Sequence, residues 1–158
     1  MFLKKFDIQG FKSFADKTTL EFRDGISTIV GPNGSGKSTL LQVIGGIISP
    51  TSGSISHRLE GRDVPQETLY RHVSIAAPYL GLYEDLSLEQ TVEFHARFKP
   101  FRKGVAPVDV ARIAHLGHAM GKPVLHFSSG MKQRLKLALA ILSDTPLLLL
   151  DEPTLHLD

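Results

Sequence analysis

The sequence predicts an α/β fold: a mostly parallel sheet, with an antiparallel strand pair at the N-terminus and a short helical insertion. Three observations predict it. "ISTIV", Ile26–Val30, is β-branched and almost wholly apolar, the pattern of a strand buried on both faces. A glycine-rich loop follows it directly and opens a helix. The chain then closes with an amphipathic helix and a buried strand, "TPLLLLDEP", that ends in two acids and a proline. Strand–loop–helix first, helices in the middle and helix–strand last is the order of a parallel sheet with an inserted helical part.

Composition agrees with one folded domain over residues 1–158. The chain has 158 residues, 42% apolar and 22% charged, enough for a real core and unlike a disordered chain. A net charge of +2 does not by itself imply nucleic-acid binding. With no cysteine, disulfides and thiolate metal sites are excluded. No segment approaches the roughly 20 apolar residues of a membrane span. The basic N-terminus "MFLKKFDIQG" lacks the apolar stretch of a signal peptide.

Each element has its own local reason. "FLKKFDIQGF" alternates with a period near two and reads as a strand. "TTLEF", Thr18–Phe22, reads as a second, closed by the turn "RDG". A helix is expected from about Gly36 to Ile44, stopped by Gly45 and Gly46. "SPTSGS" is a turn cluster between that helix and two further strand candidates, "GSISHRL" and "HVSIAA". Ser87 and Gln90 form a capping box that opens a helix to about Phe98. A loop carrying Lys99, Arg102 and Lys103 follows. Pro107 suits the first turn of the next helix, expected to end at Gly117. Met131, Leu135, Ala138 and Leu142 share one face of a helix over Ser129–Leu142. The helical insertion is placed at about residues 79–127.

"GPNGSGKST", Gly31–Thr39, matches G-x-x-x-x-G-K-[ST] in full. Such a loop wraps a polyphosphate with backbone N–H groups. The candidate contacts are Gly31, Pro32, Asn33, Gly34, Ser35, Gly36, Lys37, Ser38 and Thr39. Side chains at Gly31, Gly34 and Gly36 would block the approach or forbid the φ angles needed. Lys37 brings a point charge to the β- and γ-phosphates, and the Ser38 hydroxyl can ligate Mg²⁺. The helix that follows directs its N-terminus at the anion. The loop therefore points to ATP and Mg²⁺ as cofactors. The plain alternative, a glycine-rich turn with a chance lysine, does not account for its position between a buried strand and a helix.

Asp151 and Glu152 complement the loop. In P-loop NTPases an acid at a strand end holds Mg²⁺, directly or through water, and Asp151 fits that place. Glu152 beside it can orient or deprotonate an attacking water. Lys37 and Glu152 are the candidate catalytic residues, and Ser38 and Asp151 the candidate metal ligands. A helix-capping acid pair is the structural alternative. His115 and His118 could share a helix face, but no third ligand joins them, so a solvated pair is the preferred reading.

"FSSGMKQRLKLALAIL", Phe127–Leu142, resembles the signature segment of the ATP-binding-cassette (ABC) ATPases, usually written LSGGQ. The corresponding residues are Phe127, Ser128, Ser129, Gly130 and Met131. A Ser–Gly turn at a helix N-terminus offers a hydroxyl and N–H groups to an anion. An ordinary N-capped amphipathic helix is the alternative. In the family the anion is the γ-phosphate held by the opposite subunit. The resemblance thus implies a head-to-tail homodimer or heterodimer, with Ser128, Ser129 and Gly130 facing the partner's ATP. "TLHLD", Thr154–Asp158, resembles the family's D-loop, which puts Asp158 at the dimer seam. "GLYEDLSLEQTVEFHARF" resembles the start of the helical subdomain of transporter-type members. The implied activity is ATP hydrolysis that drives a transmembrane permease docked near residues 76–100. The implied place is the cytoplasmic side of the cell membrane, reached through that partner.

The first 38 residues have a different accent. "MFLKKFDIQGFKSFADKTTLEF" and the loop after it resemble the N-terminal head segment of structural-maintenance-of-chromosomes (SMC) proteins, which share the fold. That resemblance implies the alternative function, a DNA-associated ATPase head, with lysines 4, 5, 12 and 17 facing DNA or simply solvent. A chimeric or designed sequence, a minimal nucleotide-binding scaffold and a natural gene with a divergent first strand pair all fit the change of accent. Phe11 and Phe14 are candidates to stack the adenine, with a core role as the alternative; Lys12 is a candidate to approach the nucleotide.

Two family elements have no counterpart. A glutamine normally ends the strand here written "HVSIAA", where it touches Mg²⁺ and the attacking water; Ala77 or Pro78 stands in its place. Gln66 comes too early and Gln90 lies inside a helix. The switch histidine normally follows the D-loop, and the expectation is a truncated domain with one sheet edge open. Binding groups are present while water-positioning groups are depleted, so slow or absent hydrolysis by this chain alone is expected.

Overall fold

The computed structural model describes residues 5–9, 18–21, 36–51 and 53–154. The chain divides into two compact units, Met1–Val73 and Ser74–Asp158.

The first unit holds a sheet of four strands in the order β2-β1-β3-β4. β1 (Lys5–Gln9) lies at its centre, antiparallel to β2 (Thr18–Glu21) with Lys5 opposite Glu21. The expected N-terminal pair is therefore present. β1 is also antiparallel to β3 (Ser54–Leu59), with Phe6 opposite His57. β3 turns back into β4 (Arg62–Val64) through Glu60 and Gly61, whose φ values are 52° and 78°. Positive φ at both central residues matches the right-handed twist of the flanking strands. All pairings of this sheet are antiparallel, and the buried strand expected at Ile26–Val30 lies outside the described residues. Ser54, Ser56 and Arg58 are exposed while Ile55, His57 and Leu59 turn inward, the period of two.

α1 (Lys37–Ile44) is the helix expected after the glycine-rich loop. Its Leu41, Val43 and Ile44 are buried. Gly45 keeps right-handed φ, and Gly46, at φ 71°, makes the left-handed stop. The Gly46 amide donates to Val43 O (3.1 Å) and the Ile47 amide to Gln42 O (2.8 Å), a Schellman close. The buried His57 ring bonds the Ile44 carbonyl through Nε2 at 2.7 Å, so β3 satisfies one of the carbonyls the helix end leaves over.

The second unit packs three helices around one apolar cluster. α2 (Leu88–Phe98) starts at the capping box: Ser87 Oγ accepts from the Gln90 amide (3.2 Å), and Gln90 Oε1 accepts from the Ser87 amide (2.9 Å). Such a cap stabilises a helix by about 1 kcal/mol. α3 is Pro107–Ile113 and α4 is Ser129–Leu142. Leu88 and Val92 of α2, Val110 of α3, and Leu135 and Leu139 of α4 form the heart of the cluster. Met131 and Leu142 pack on it half-buried, as the spacing of the apolar face required. β5 (Val73–Ala76) pairs with β6 (Leu147–Leu150).

α3 ends earlier than expected. His115 takes φ 55°. Its amide donates to Arg112 O (3.0 Å), and the buried Leu116 sends its own amide to Ala111 O (2.8 Å). A Schellman close thus forms on a histidine, and Gly117 instead begins a short 3-10 turn, Gly117–Ala119. His115 and His118 consequently do not share a helix. Among the described residues no group of three or more His, Cys, Asp or Glu is placed to hold a metal ion.

Candidate functional site

The described part of the glycine-rich loop is its exit into α1. Gly36 is the N-cap at φ 84°. An added Cβ there would meet nothing within 4 Å, so backbone conformation rather than space demands glycine. The Leu40 amide donates to Gly36 O at 2.9 Å, closing the first turn over Lys37, Ser38 and Thr39. The amides of a first turn have no partner within their helix. No side chain caps this one among the described residues, and no acid lies in its first turn. The turn therefore presents amides, the Lys37 ammonium and the Ser38 hydroxyl from one short helix end. Gly31, Pro32, Asn33, Gly34 and Ser35 lie outside the described residues, as do Phe11, Lys12, Phe14 and Asp158.

The acids stand at the end of β6 in the second unit. Asp151 is buried, and its amide donates to Ala76 O at 2.9 Å, which ties the strand end to β5. Glu152 is exposed and adopts φ 46°, a conformation that costs a non-glycine residue about 1 kcal/mol or more. The strain has an anchor. Gln133, 4% exposed on α4, donates through Nε2 to the Pro153 carbonyl at 3.2 Å. The helix that carries the signature thus holds the turn that carries the acids.

At the start of α4, Ser128 is the N-cap and its Oγ accepts from the Met131 amide at 3.2 Å. The capping role and an outward hydroxyl coexist, since a serine oxygen accepts here while its hydrogen still donates. Ser128 and Ser129 are exposed, and Gly130 is buried. Met131 packs its side chain half-buried on the core.

The place where the family's glutamine would stand is occupied by backbone. β5 ends at Ala76, Ala77 is buried and Pro78 is exposed. Lys136 of α4 directs Nζ to the carbonyls of Ala77 (3.4 Å) and Pro78 (3.3 Å). Neither Gln133 nor Lys136 stands out in the sequence. The available signal was their spacing of three on one helix, which puts two polar groups on the side that meets the strand ends.

A strand-end acid pair, a signature-like helix cap and a glycine-led first helical turn define a P-loop nucleotide-binding protein of the α/β class. The comparisons place it more narrowly. The family model for the ABC transporter matches residues 17–155, and the chain belongs to that family. ABC ATP-binding domains are ATPases. The zinc import ATP-binding protein ZnuC of Yersinia enterocolitica is 37% identical over 155 residues, 94% of this chain and 55% of that protein. The bacitracin transport ATP-binding protein BcrA of Bacillus licheniformis is 34% identical over 150 residues, 94% of this chain and 49% of that one. A solved ATP-binding subunit of an ABC transporter superposes with TM-score 0.73 at 27% identity, covering 96% of this chain and 68% of that chain. The fold is therefore that of the ABC-type P-loop ATPases. The chain spans about half the length of the curated relatives it matches.

Proposed function

We propose that this chain is part of the ATP-binding subunit of an ABC transporter and that it binds Mg–ATP. The observation that carries the reading is the entry to α1: Gly36 at φ 84°, then Lys37, Ser38 and Thr39 on a first turn without a side-chain cap. In this reading Gly31–Thr39 cradles the phosphates with backbone amides and Lys37 balances their charge. The donors for a magnesium ion are the Ser38 hydroxyl and the Asp151 carboxylate. Both are hard oxygens, the type that suits this ion, and Asp151 is a buried carboxylate at a strand end fixed by its own amide. Bound there, magnesium would neutralise charge on the phosphate oxygens.

Glu152 then orients or deprotonates the attacking water, and its turn is held by Gln133. Ser128, Ser129 and Gly130 serve the nucleotide of a second subunit, in a head-to-tail homodimer or heterodimer. With Ala77 and Pro78 where a glutamine would touch the water, hydrolysis by this chain alone is slow.

The helical insertion of about residues 79–127 is where a permease docks. Supporting this, Tyr83, Phe94 and Phe98 are exposed and stack in a row, each neighbouring pair of rings 5.0 Å apart. An exposed aromatic row of this kind marks an interaction surface. Docking would hold the chain at the cytoplasmic face of a membrane; no helix among the described residues is itself long and apolar enough to cross one.

The test is a Mg–ATP titration of the wild type and Lys37→Ala. The variant is expected to bind at least about tenfold more weakly, the equivalent of one charge-assisted contact. Equal affinities would remove the cradle assignment.

A further inference from the structure

The second unit contains a cavity of about 230 Å³. Leu82 and Leu139 are among its apolar walls, and its polar lining is Ser74, His95, Lys99 and Lys136. No carboxylate lines it. Two ammonium groups therefore share one concavity that supplies no counter-charge of its own. At about 30 Å³ per water, the space suits a small ion with part of its hydration rather than a large organic ligand.

We propose that this cavity is a binding site for a small oxyanion of the phosphate or carboxylate class, held between Lys99 and Lys136. Ammonium–oxyanion hydrogen bonds are among the strong ones, and apolar walls raise their strength by excluding water. Burial lowers the pKa of Lys99, and burial followed by the nearby Lys132 lowers that of Lys136. An anion would relieve both. Burial, then the charge of Lys99, holds His95 at about 4, so its ring is neutral near pH 7.

The hydrogen bonds fix its tautomer. The Ser143 hydroxyl donates to Leu139 O at 2.7 Å, so its oxygen accepts from His95 Nε2–H at 2.8 Å. His95 is thus a neutral reporter on the cavity wall. Occupancy also has a structural consequence. Lys136 reaches the Ala77 and Pro78 carbonyls only at long range, 3.4 and 3.3 Å, and an anion competes with them for its ammonium. The residue before them, Ala76, is the one whose carbonyl takes the Asp151 amide.

The experiment follows the His95 ring by NMR in the full chain at constant ionic strength, titrating with inorganic phosphate and separately with acetate. Saturable shifts of His95 and a rise of its pKa are expected. Lys99→Met and Lys136→Met should each weaken binding about tenfold, while Lys136→Arg retains it. Lys37→Ala, in the phosphate loop, should leave the His95 response intact. Tighter binding of phosphate assigns a phosphate-class ligand, and equal binding of acetate assigns a carboxylate; both support the site. Absence of a saturable His95 response to either ion would overturn it. So would a response abolished by Lys37→Ala and kept by Lys99→Met. Should Lys136→Met not fold, the comparison of Lys99→Met with Lys136→Arg still decides.

Discussion

The carboxamide of Gln133 donates to the carbonyl of Pro153 at 3.2 Å, twenty residues along the chain. Gln133 is buried on the signature helix, and Pro153 follows the acids Asp151 and Glu152. A movement of α4 therefore reaches the acid turn through one hydrogen bond rather than through solvent. Gln133→Leu keeps the volume and removes the donor, which leaves the Pro153 carbonyl without that partner. The expected loss of stability is about 1 kcal/mol. Mg–ATP affinity should change little, because the cradle lies in the other unit, while turnover by the assembled transporter falls about tenfold. A single-turnover assay beside an ATP titration separates the two, and a parallel loss of both would mean that Gln133 serves only folding.

Stability should fall in mild acid, with His95 as a main cause. Its ordinary value is 6.5 and the folded chain holds it at about 4, through burial first and then the charge of Lys99. The ring stacks on Phe101 at 5.7 Å and donates to Ser143, whose carbonyl also accepts from Arg102. Its cationic neighbours oppose protonation. The unfolded chain takes the proton at about 6.5 and the folded chain does not. The stabilisation is therefore whole above about pH 6.5 and is lost as pH falls towards 4, at up to about 1.4 kcal/mol per pH unit. His57, lowered by burial against the opposing effect of its bond to Ile44, acts in the same direction. Melting temperatures between pH 7.5 and 4.5 should drop, and His95→Gln should flatten the slope. A slope unchanged in that variant would move the effect elsewhere.

Lys136 gives a further prediction about the end of β5. Its ammonium bonds the carbonyls of Ala77 and Pro78 from α4, close to where the family's glutamine would be. Lys136→Met should loosen this segment and raise amide exchange for residues 77–82 without raising it in α1. Two long bonds to a half-buried ammonium are worth about 1 kcal/mol together. Hydrogen exchange followed peptide by peptide reads the outcome, and uniform protection would show that the backbone holds itself.

How legible each part was in the sequence follows from the range of the interaction. The capping box at Ser87 and Gln90 spans three residues and is present atom for atom. Gly36 had to be glycine for conformational reasons, and its φ of 84° agrees. The return strand β4 escaped notice because Glu60 takes a turn position where asparagine or aspartate is usual. The second shell of the acids was not legible at all. Gln133 and Lys136 act across 20 and nearly 60 residues, and a polar residue on an amphipathic helix reads first as a solvated face. Only the packing of α4 shows which polar groups point inward.

The helix stops at Gly46 and His115 make an opposed pair of predictions. Both close a Schellman motif with positive φ, 71° and 55°. An alanine Cβ at Gly46 would approach Gln66 Nε2 to 2.7 Å and Leu69 Cδ2 to 2.8 Å, and Leu69 is a buried core side chain with little room to give. Gly46→Ala therefore adds a steric cost to the left-handed penalty and should destabilise by about 1–3 kcal/mol. At His115 the penalty is already present, borne by a histidine. His115→Gly removes it and should stabilise by about 0.5–1 kcal/mol, part of the gain being lost to the greater freedom of glycine in the unfolded chain. Urea unfolding of the two variants measures both signs on one scale. A destabilising His115→Gly would show that the imidazole makes a contact worth more than the strain it carries.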